Sequence, residues 1–153
     1  MLPDLTSLLP HNKSDLERAR AVVALGYPAI SPIVPGVLEW LQDINWPVAQ
    51  VFAPFLASIG PELAPYVRTV LETTDDVWKY YLVQAVVAAS PELAKALKPQ
   101  LERIAQNPTP SERHEEVNDV ALEALARLRG TGRITGSSIG PTTAANVVAI
   151  LHN

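Results

Sequence analysis

The strongest constraint on the fold is a spacing of apolar residues that occurs three times along the chain. The first copy comprises Val48, Val51, Phe52, Phe55, Leu56 and Ile59. The second copy, 30 positions later, comprises Trp78, Tyr81, Leu82, Ala85, Val86 and Ala89, and the third, 69 positions after the first, comprises Val117, Val120, Ala121, Ala124, Leu125 and Leu128. Residues at i, i+3, i+4, i+7, i+8 and i+11 share one face of an α-helix. We therefore predict three helices with equivalent apolar faces, and we call this set of positions the shared stripe.

Segments that begin with Gly or Ser and contain proline lie before and between the stripe helices. They read "GYPAISPIVPGVLEWL", "GPELAPYVRTVLE" and "SPELAKALKPQLERIA". Proline in the first turn of a helix loses no intrahelical hydrogen bond, and a preceding glycine ends the helix before it. Each unit is therefore predicted to be a helix, a tight turn and a second helix.

Helix starts can be assigned from residue types three positions apart. Ser14 and Glu17 have the spacing of a capping box, and so do Thr109 and Glu112. Pro54 lies within the first stripe, where an interior proline is expected to kink or divide the helix.

Paired helices repeating every 30 to 40 residues are typical of an α-solenoid, in which neighbouring pairs supply each other's core. A composition with 48% hydrophobic but only 6% aromatic residues suits close-packed helices. We predict an all-α, right-handed α-solenoid (an α-α superhelix) of about three and a half helix pairs, with the first pair near 15–42 and the last helix near 112–129. We expect residues 1–129 to form this domain. We expect residues 130–153 to form a Gly/Thr-rich linker and a short C-terminal segment that would either cap the last repeat as a helix or be disordered.

Two family resemblances accompany this pattern. The segment "DINWPVAQVFAPFLASIGPELAPYVRTVL" resembles a HEAT-type repeat, and this resemblance covers about residues 15–129. The arginine that HEAT repeats often place after the opening Val is replaced by Ala49 here and by Lys79 in the next unit. The segments "LEWLQDINWPVA" and "DDVWKYY" are similar to the family called domain of unknown function 5071, up to about Leu128. That resemblance implies a small single-domain protein without an assigned activity, and it supplies no catalytic residues.

Trp40 and Trp46 lie six residues apart in "EWLQDINWPVAQ", and two interpretations of this segment are open. In the first, the tryptophans fill the joint between the first and second helix pairs, since large aromatic side chains bury roughly 150–250 Å² each. Asn45 would then cap a helix that begins at Trp46, with Pro47 in its first turn.

In the second interpretation, aromatic residues from two units open onto one groove and anchor a partner protein. Tryptophan and tyrosine are enriched at the energetic centres of protein interfaces. Charged and polar neighbours, including Asp75, would complete the pocket. The candidate binding residues are Trp40, Asp43, Asn45, Trp46, Asp76, Trp78, Lys79 and Tyr80.

Motifs for catalysis or metal binding are weak. The chain has no cysteine, and its three histidines, His11, His114 and His152, do not have metal-ligand spacing. The "GSSIG" segment at 136–140 matches the letters of a nucleophile elbow but lacks the strand before it and the helix after it. We predict no catalytic residue, no metal ligand and no cofactor.

Charge and hydropathy restrict the partner classes. With 12 Lys and Arg against 16 Asp and Glu, the net charge is −4, and no basic run could neutralise several phosphates, so we expect no nucleic-acid partner. No apolar run reaches the roughly 18–20 residues that span a bilayer, and the N-terminus does not resemble a signal peptide. We expect a cytoplasmic, non-enzymatic adaptor for an unidentified protein partner. The alternatives are an immunity or inhibitor protein that neutralises a toxin, and an enzyme of unrecognised type.

Overall fold

The computed structural model describes the backbone of residues 5–133 and the side chains of residues 5–129. All regular structure within this range is helical, which confirms the predicted all-α class. The α-helices are α1 (Leu16–Leu25), α2 (Val34–Glu39), α3 (Pro47–Ile59), α4 (Ala64–Leu71), α5 (Asp76–Leu82), α6 (Pro91–Ala96), α7 (Lys98–Gln106), α8 (Pro110–His114) and α9 (Val117–Arg133). Short 3-10 segments occur at Leu5–Leu8, Ser31–Ile33, Trp40–Gln42 and Gly60–Leu63, and Val83–Val87 forms a π-helical segment. Among the described helices, none is long and apolar enough to cross a membrane.

Several helices and the π-helical segment contact one another in the order in which they occur along the chain. Helix α1 packs against α3, α3 packs against the π-helical segment, and that segment packs against α9. In addition, the 3-10 segment Gly60–Leu63 packs against α6, and α7 packs against α9. A single apolar cluster runs through all of these contacts. The core is therefore continuous from α1 to α9.

The residues of the shared stripe face the core in α3 and α9. In the second copy, the last stripe residue does not face the core as predicted. Ala89 is exposed. The reason is the π-helical segment, in which the Ala88 N–H donates to the Val83 carbonyl five residues earlier, at 2.8 Å. A π turn adds one residue and rotates the following positions away from the 3.6-residue period. Val83 and Val87 therefore join Val86 in the core, while Ala89 turns to the surface.

One of the two predicted capping boxes is confirmed and the other is wrong. In α8 the Glu112 N–H donates to Thr109 Oγ1 at 3.0 Å, and the Thr109 N–H donates to the Glu112 carboxylate at 2.9 Å. Helix α1 is instead capped by Asp15, whose carboxylate accepts the Arg18 N–H at 3.3 Å. A carboxylate is a stronger acceptor than a hydroxyl and complements the positive end of the helix dipole.

The predicted start of α3 also needs correction, because Asn45 does not cap it. The helix begins at Pro47, and Trp46 occupies the cap position with extended backbone, φ −66° and ψ 137°. Contact with the proline ring disfavours the helical region for the residue before it, and Trp46 accordingly keeps an extended backbone. Asn45 instead donates its backbone N–H to Asp43 Oδ1 at 2.9 Å. Pro54 lies inside α3 without dividing it.

The last described helix extends beyond the predicted boundary at 129, since α9 continues to Arg133. Each residue added to an existing helix gains a hydrogen bond, and a glycine costs only about 1 kcal/mol relative to alanine. Gly130 alone therefore does not end the helix. The remainder of the predicted linker and C-terminal segment, 134–153, lies outside the described residues.

Candidate functional site

Four charged side chains from three helices form an ion-pair network in which Asp76, Lys79 and Glu112 are buried and Arg103 is exposed. Lys79 Nζ lies 2.6 Å from Asp76 Oδ1 in the same helix, α5, and 2.8 Å from Glu112 Oε2 in α8. Arg103 of α7 donates one hydrogen bond from each terminal nitrogen, Nη1 to Glu112 Oε1 and Nη2 to Glu112 Oε2, both at 2.7 Å. Glu112, Lys79 and Asp76 are 1%, 3% and 6% exposed. We call these four residues the charge network.

Local helix geometry brings the charge network together. Asp75 caps α5 by accepting the Trp78 N–H at 3.1 Å, which places Asp76 in the first turn and Lys79 one turn later on the same face. The capping box of α8 holds Glu112 in place through two hydrogen bonds. The Glu112 N–H donates to Thr109, and the Thr109 N–H donates to the Glu112 carboxylate. Glu112 thus accepts four hydrogen bonds, two on each oxygen.

These hydrogen bonds control the ionisation of Glu112. Burial raises the pKa of its carboxyl group, but the hydrogen bonds from Arg103, Lys79 and the Thr109 N–H outweigh burial and lower the pKa from 4.5 to about 2. The same hydrogen bond with Glu112 raises the pKa of the Arg103 guanidinium. Glu112 therefore stays a carboxylate throughout the neutral range.

The lowered pKa predicts a pH dependence of stability. Because the folded pKa is below the ordinary value, ionised Glu112 stabilises the fold above pH 4.5 and loses this contribution as the pH falls towards about 2. The shift corresponds to about 3 kcal/mol at neutral pH. Urea unfolding midpoints measured from neutral pH down to about pH 2.5 should fall more steeply for the wild type than for Glu112→Gln, which carries no ionisable group there. Parallel pH profiles for the two proteins would contradict the assignment.

The charge network lines an open cleft of about 860 Å³ between the end of α4, the start of α5, α7 and α8. Apolar side chains, threonine and serine hydroxyl groups, the amide of Gln100 and the carboxylate of Glu72 complete the lining. The apolar members are Leu71, Pro99, Ile104 and Pro110, and the hydroxyl members are Thr73, Thr74, Thr109 and Ser111. Within residues 5–129, no three His, Asp or Glu side chains are arranged to hold a metal ion.

The family model described as domain of unknown function (DUF5071) matches residues 8–125. The chain belongs to the DUF5071 family. This match confirms the resemblance noted in "LEWLQDINWPVA" and "DDVWKYY", and it spans the whole charge network and its cleft. The comparison with curated proteins finds no match.

In this DUF5071 chain, only two of the eight predicted binding residues, Asp76 and Lys79, line the large cleft. Trp40 and Trp46 contact each other edge to face, with ring centroids 5.6 Å apart and an interplanar angle of 72°. Trp78 donates its indole N–H to the Leu38 carbonyl at 2.9 Å, which attaches α5 to α2. All three tryptophans are partly buried against the core.

The other predicted residues lie apart from the cleft. Tyr80 packs edge-on against Tyr81, with ring centroids 5.6 Å apart. Tyr80 also lines a smaller cavity of about 220 Å³, and His114 is another of the lining residues. Asn45 is exposed, and Asp43 is half-buried in the loop before α3. The structure therefore does not place the eight residues around one groove.

Sequence reasoning missed Arg103, Glu112 and Gln100 as site residues. Glu112 was identified only as a capping residue, because the capping spacing is visible locally while its burial is not. Lys79 and Glu112 are 33 positions apart, so no helical period connects them. The available signal was a polar Asp76 and Lys79 pair, spaced i and i+3 at the start of a helix whose other residues are mostly apolar.

Proposed function

We propose that this chain is a non-enzymatic protein-binding module and that the cleft beside the charge network is its binding surface. The observation that carries this proposal is the cleft itself, in which rigidly paired charges lie beside apolar walls and hydroxyl groups. Protein interfaces combine an apolar centre with a polar rim, and a preorganised surface loses less entropy on binding.

The order of helix contacts supports an α-solenoid of HEAT-like pairs as the scaffold. The first helices of successive units pack in sequence, from α1 through α3 and the π-helical segment to α9. Lys79, at the position of the HEAT arginine, forms an ion pair with Glu112 that joins α5 to α8. Solenoids present extended surfaces along one side of the stack, and these surfaces commonly bind other proteins.

The ionisation of Glu112 favours binding over acid–base catalysis. A general acid or base works best when its pKa lies near the working pH. Hydrogen bonds lower the pKa of Glu112 to about 2, and all four of its hydrogen bonds come from the protein itself. This carboxylate is suited to holding α7 and α8 in place beside the cleft.

Affinity capture from the source lysate, followed by mass spectrometry, tests the proposal. Thr74→Trp places a large side chain at the cleft, whereas Thr69→Trp makes the same change on an exposed position of α4 away from it. The wild type and Thr69→Trp should retain one stoichiometric partner that Thr74→Trp loses. If the wild type retains no partner, the result would contradict a binding function. If Trp40→Ala loses the partner and Thr74→Trp retains it, the binding surface lies at Trp40 and Trp46 and not at the cleft.

The acidic composition favours a second candidate, an inhibitor that neutralises a toxin. The excess of 16 acidic over 12 basic residues suits a basic partner such as a nuclease. The same capture experiment separates the two functions. A captured toxin whose activity is lost in the complex supports the inhibitor, and a non-toxic partner supports the adaptor.

A further inference from the structure

We infer that the cleft receives an arginine side chain of the partner protein. This inference rests on the proposed binding function and names the group that the cleft would recognise. It follows from the hydrogen-bonding groups that the charge network uses internally and from those that it leaves available.

The cationic groups of the cleft are committed to the protein itself. Lys79 is held between Asp76 and Glu112, and Arg103 gives both terminal nitrogens to Glu112 and also donates to the Asn107 carbonyl at 3.3 Å. Glu112 in turn is fully occupied by its four hydrogen bonds. An anionic ligand would therefore have to displace existing ion pairs.

One acceptor at the cleft remains without a partner. The Oε1 atom of Gln100 is buried at the cleft and has no hydrogen-bond partner among the described residues. Asp76 Oδ1 is also buried, but Lys79 Nζ lies 2.6 Å from it, so this oxygen is already paired within the protein. Leaving a buried acceptor without a donor costs about 1–3 kcal/mol. A ligand that brings N–H groups would recover part of this energy.

The charge of the lining also favours a cation. Three carboxylates, Glu72, Asp76 and Glu112, face two basic groups, Lys79 and Arg103, so the lining has an excess of one negative charge. Glu72 is exposed and accessible at this surface. Nearby charges of opposite sign steer and orient a partner.

An arginine side chain matches both the polar and the apolar parts of the lining. Its guanidinium carries five N–H donors in a planar arrangement and is more weakly hydrated than a lysine ammonium. Its methylene stem can pack on apolar walls such as Leu71 and Ile104, as arginine stems commonly do. Lysine would bring fewer donors and a larger loss of hydration.

The test is an NMR titration of the ¹⁵N-labelled full chain with a capped Gly-Arg-Gly peptide. The capped Gly-citrulline-Gly peptide has nearly the same shape without the charge, and Gly-Lys-Gly has the charge without the planar donors. We expect the side-chain amide signals of Gln100 and the backbone signals near Glu72 to shift with the arginine peptide. Affinity for the citrulline and lysine peptides should be lower by about tenfold, as expected for one hydrogen bond to a charged group.

Two matched variants identify the group responsible. Gln100→Met removes the buried acceptor with little change in size, and Gln106→Met makes the same change at an exposed position of the same helix. Gln100→Met should lower the affinity for the arginine peptide by about tenfold, and Gln106→Met should leave this affinity unchanged. Equal binding of the arginine and citrulline peptides, unchanged binding by Gln100→Met, or tighter binding of inorganic phosphate at these signals would overturn the inference.

The outcomes also separate this inference from the proposed function. A partner that is captured by the wild type and lost in Thr74→Trp, together with no arginine peptide binding, rejects arginine recognition while the binding function stands. Arginine peptide binding with no captured protein supports the chemistry of the cleft and rejects the protein-binding role.

Discussion

Replacement of Glu112 by alanine is expected to lower the free energy of unfolding by about 3–5 kcal/mol, the range for removing one partner of a buried ion pair. Lys79 is 3% exposed in the wild type, and in the variant Asp76 is its remaining ion-pair partner. Arg103 loses the carboxylate with which it forms a bidentate ion pair. It also removes one half of the α8 capping box. The loss therefore combines an uncompensated buried charge with a weakened helix start.

Urea unfolding followed by circular dichroism measures this loss, and Glu123→Ala is the matched control. Glu123 pairs with Arg127 at 3.5 Å on the exposed face of α9, where the Glu123 side chain is 55% exposed. Exposed helix pairs of this type contribute about 0.3–0.5 kcal/mol. If the two Glu→Ala variants lose equal stability, the charge network is not buried in solution as the structure has it.

A double-mutant cycle with Lys79→Met shows whether the network acts as a unit. Once Glu112 is absent, replacing Lys79 removes a buried charge that has lost one of its two carboxylate partners. The double variant should therefore lose clearly less stability than the sum of the two single variants, by roughly 0.5–3 kcal/mol for residues in one network. Additive losses would indicate that Lys79 and Glu112 do not interact.

The parts of the fold that were predictable from the sequence are those in which the signal is local. Phe52 and Leu56 could be assigned to the core because the helical period relates them to neighbours within one or two turns. The Thr109 and Glu112 capping box was predictable for the same reason. Ala89 was misassigned because a π turn changes the period, and nothing in the residue types of "VQAVV" indicates that turn.

The cleft was only partly predictable because its chemistry depends on contacts between helices that are far apart in the sequence. Asp76 and Lys79 were identified as candidate residues, but their assignment to a groove with the tryptophans assumed that polar and aromatic residues in adjacent sequence share one surface. In the structure, α5 presents Trp78 towards the Leu38 carbonyl and Lys79 towards Glu112. Consecutive residues on a helix point about 100° apart, so neighbours in sequence can serve different sites.

Replacement of Phe52 by alanine is the second large expected effect, with a loss of about 3–5 kcal/mol in the free energy of unfolding. Phe52 has no exposed surface and is among the largest fully buried side chains in the described part of the chain. It lies in α3, which packs against α1 on one side and the π-helical segment on the other. The cavity left by the phenyl ring would therefore lie in the core where α3 meets its neighbours.

Phe55→Ala on the same helix is the control, since Phe55 belongs to the shared stripe but is only half-buried. Burial energy scales with the apolar area removed from water, so the control should lose clearly less stability than Phe52→Ala. Thermal or urea unfolding of the two variants and the wild type measures the difference. Equal losses would mean that the stripe packs uniformly across α3. A loss below about 1 kcal/mol for Phe52→Ala would mean that the neighbouring helices close the cavity, which contradicts a rigid contact of α3 with its neighbours.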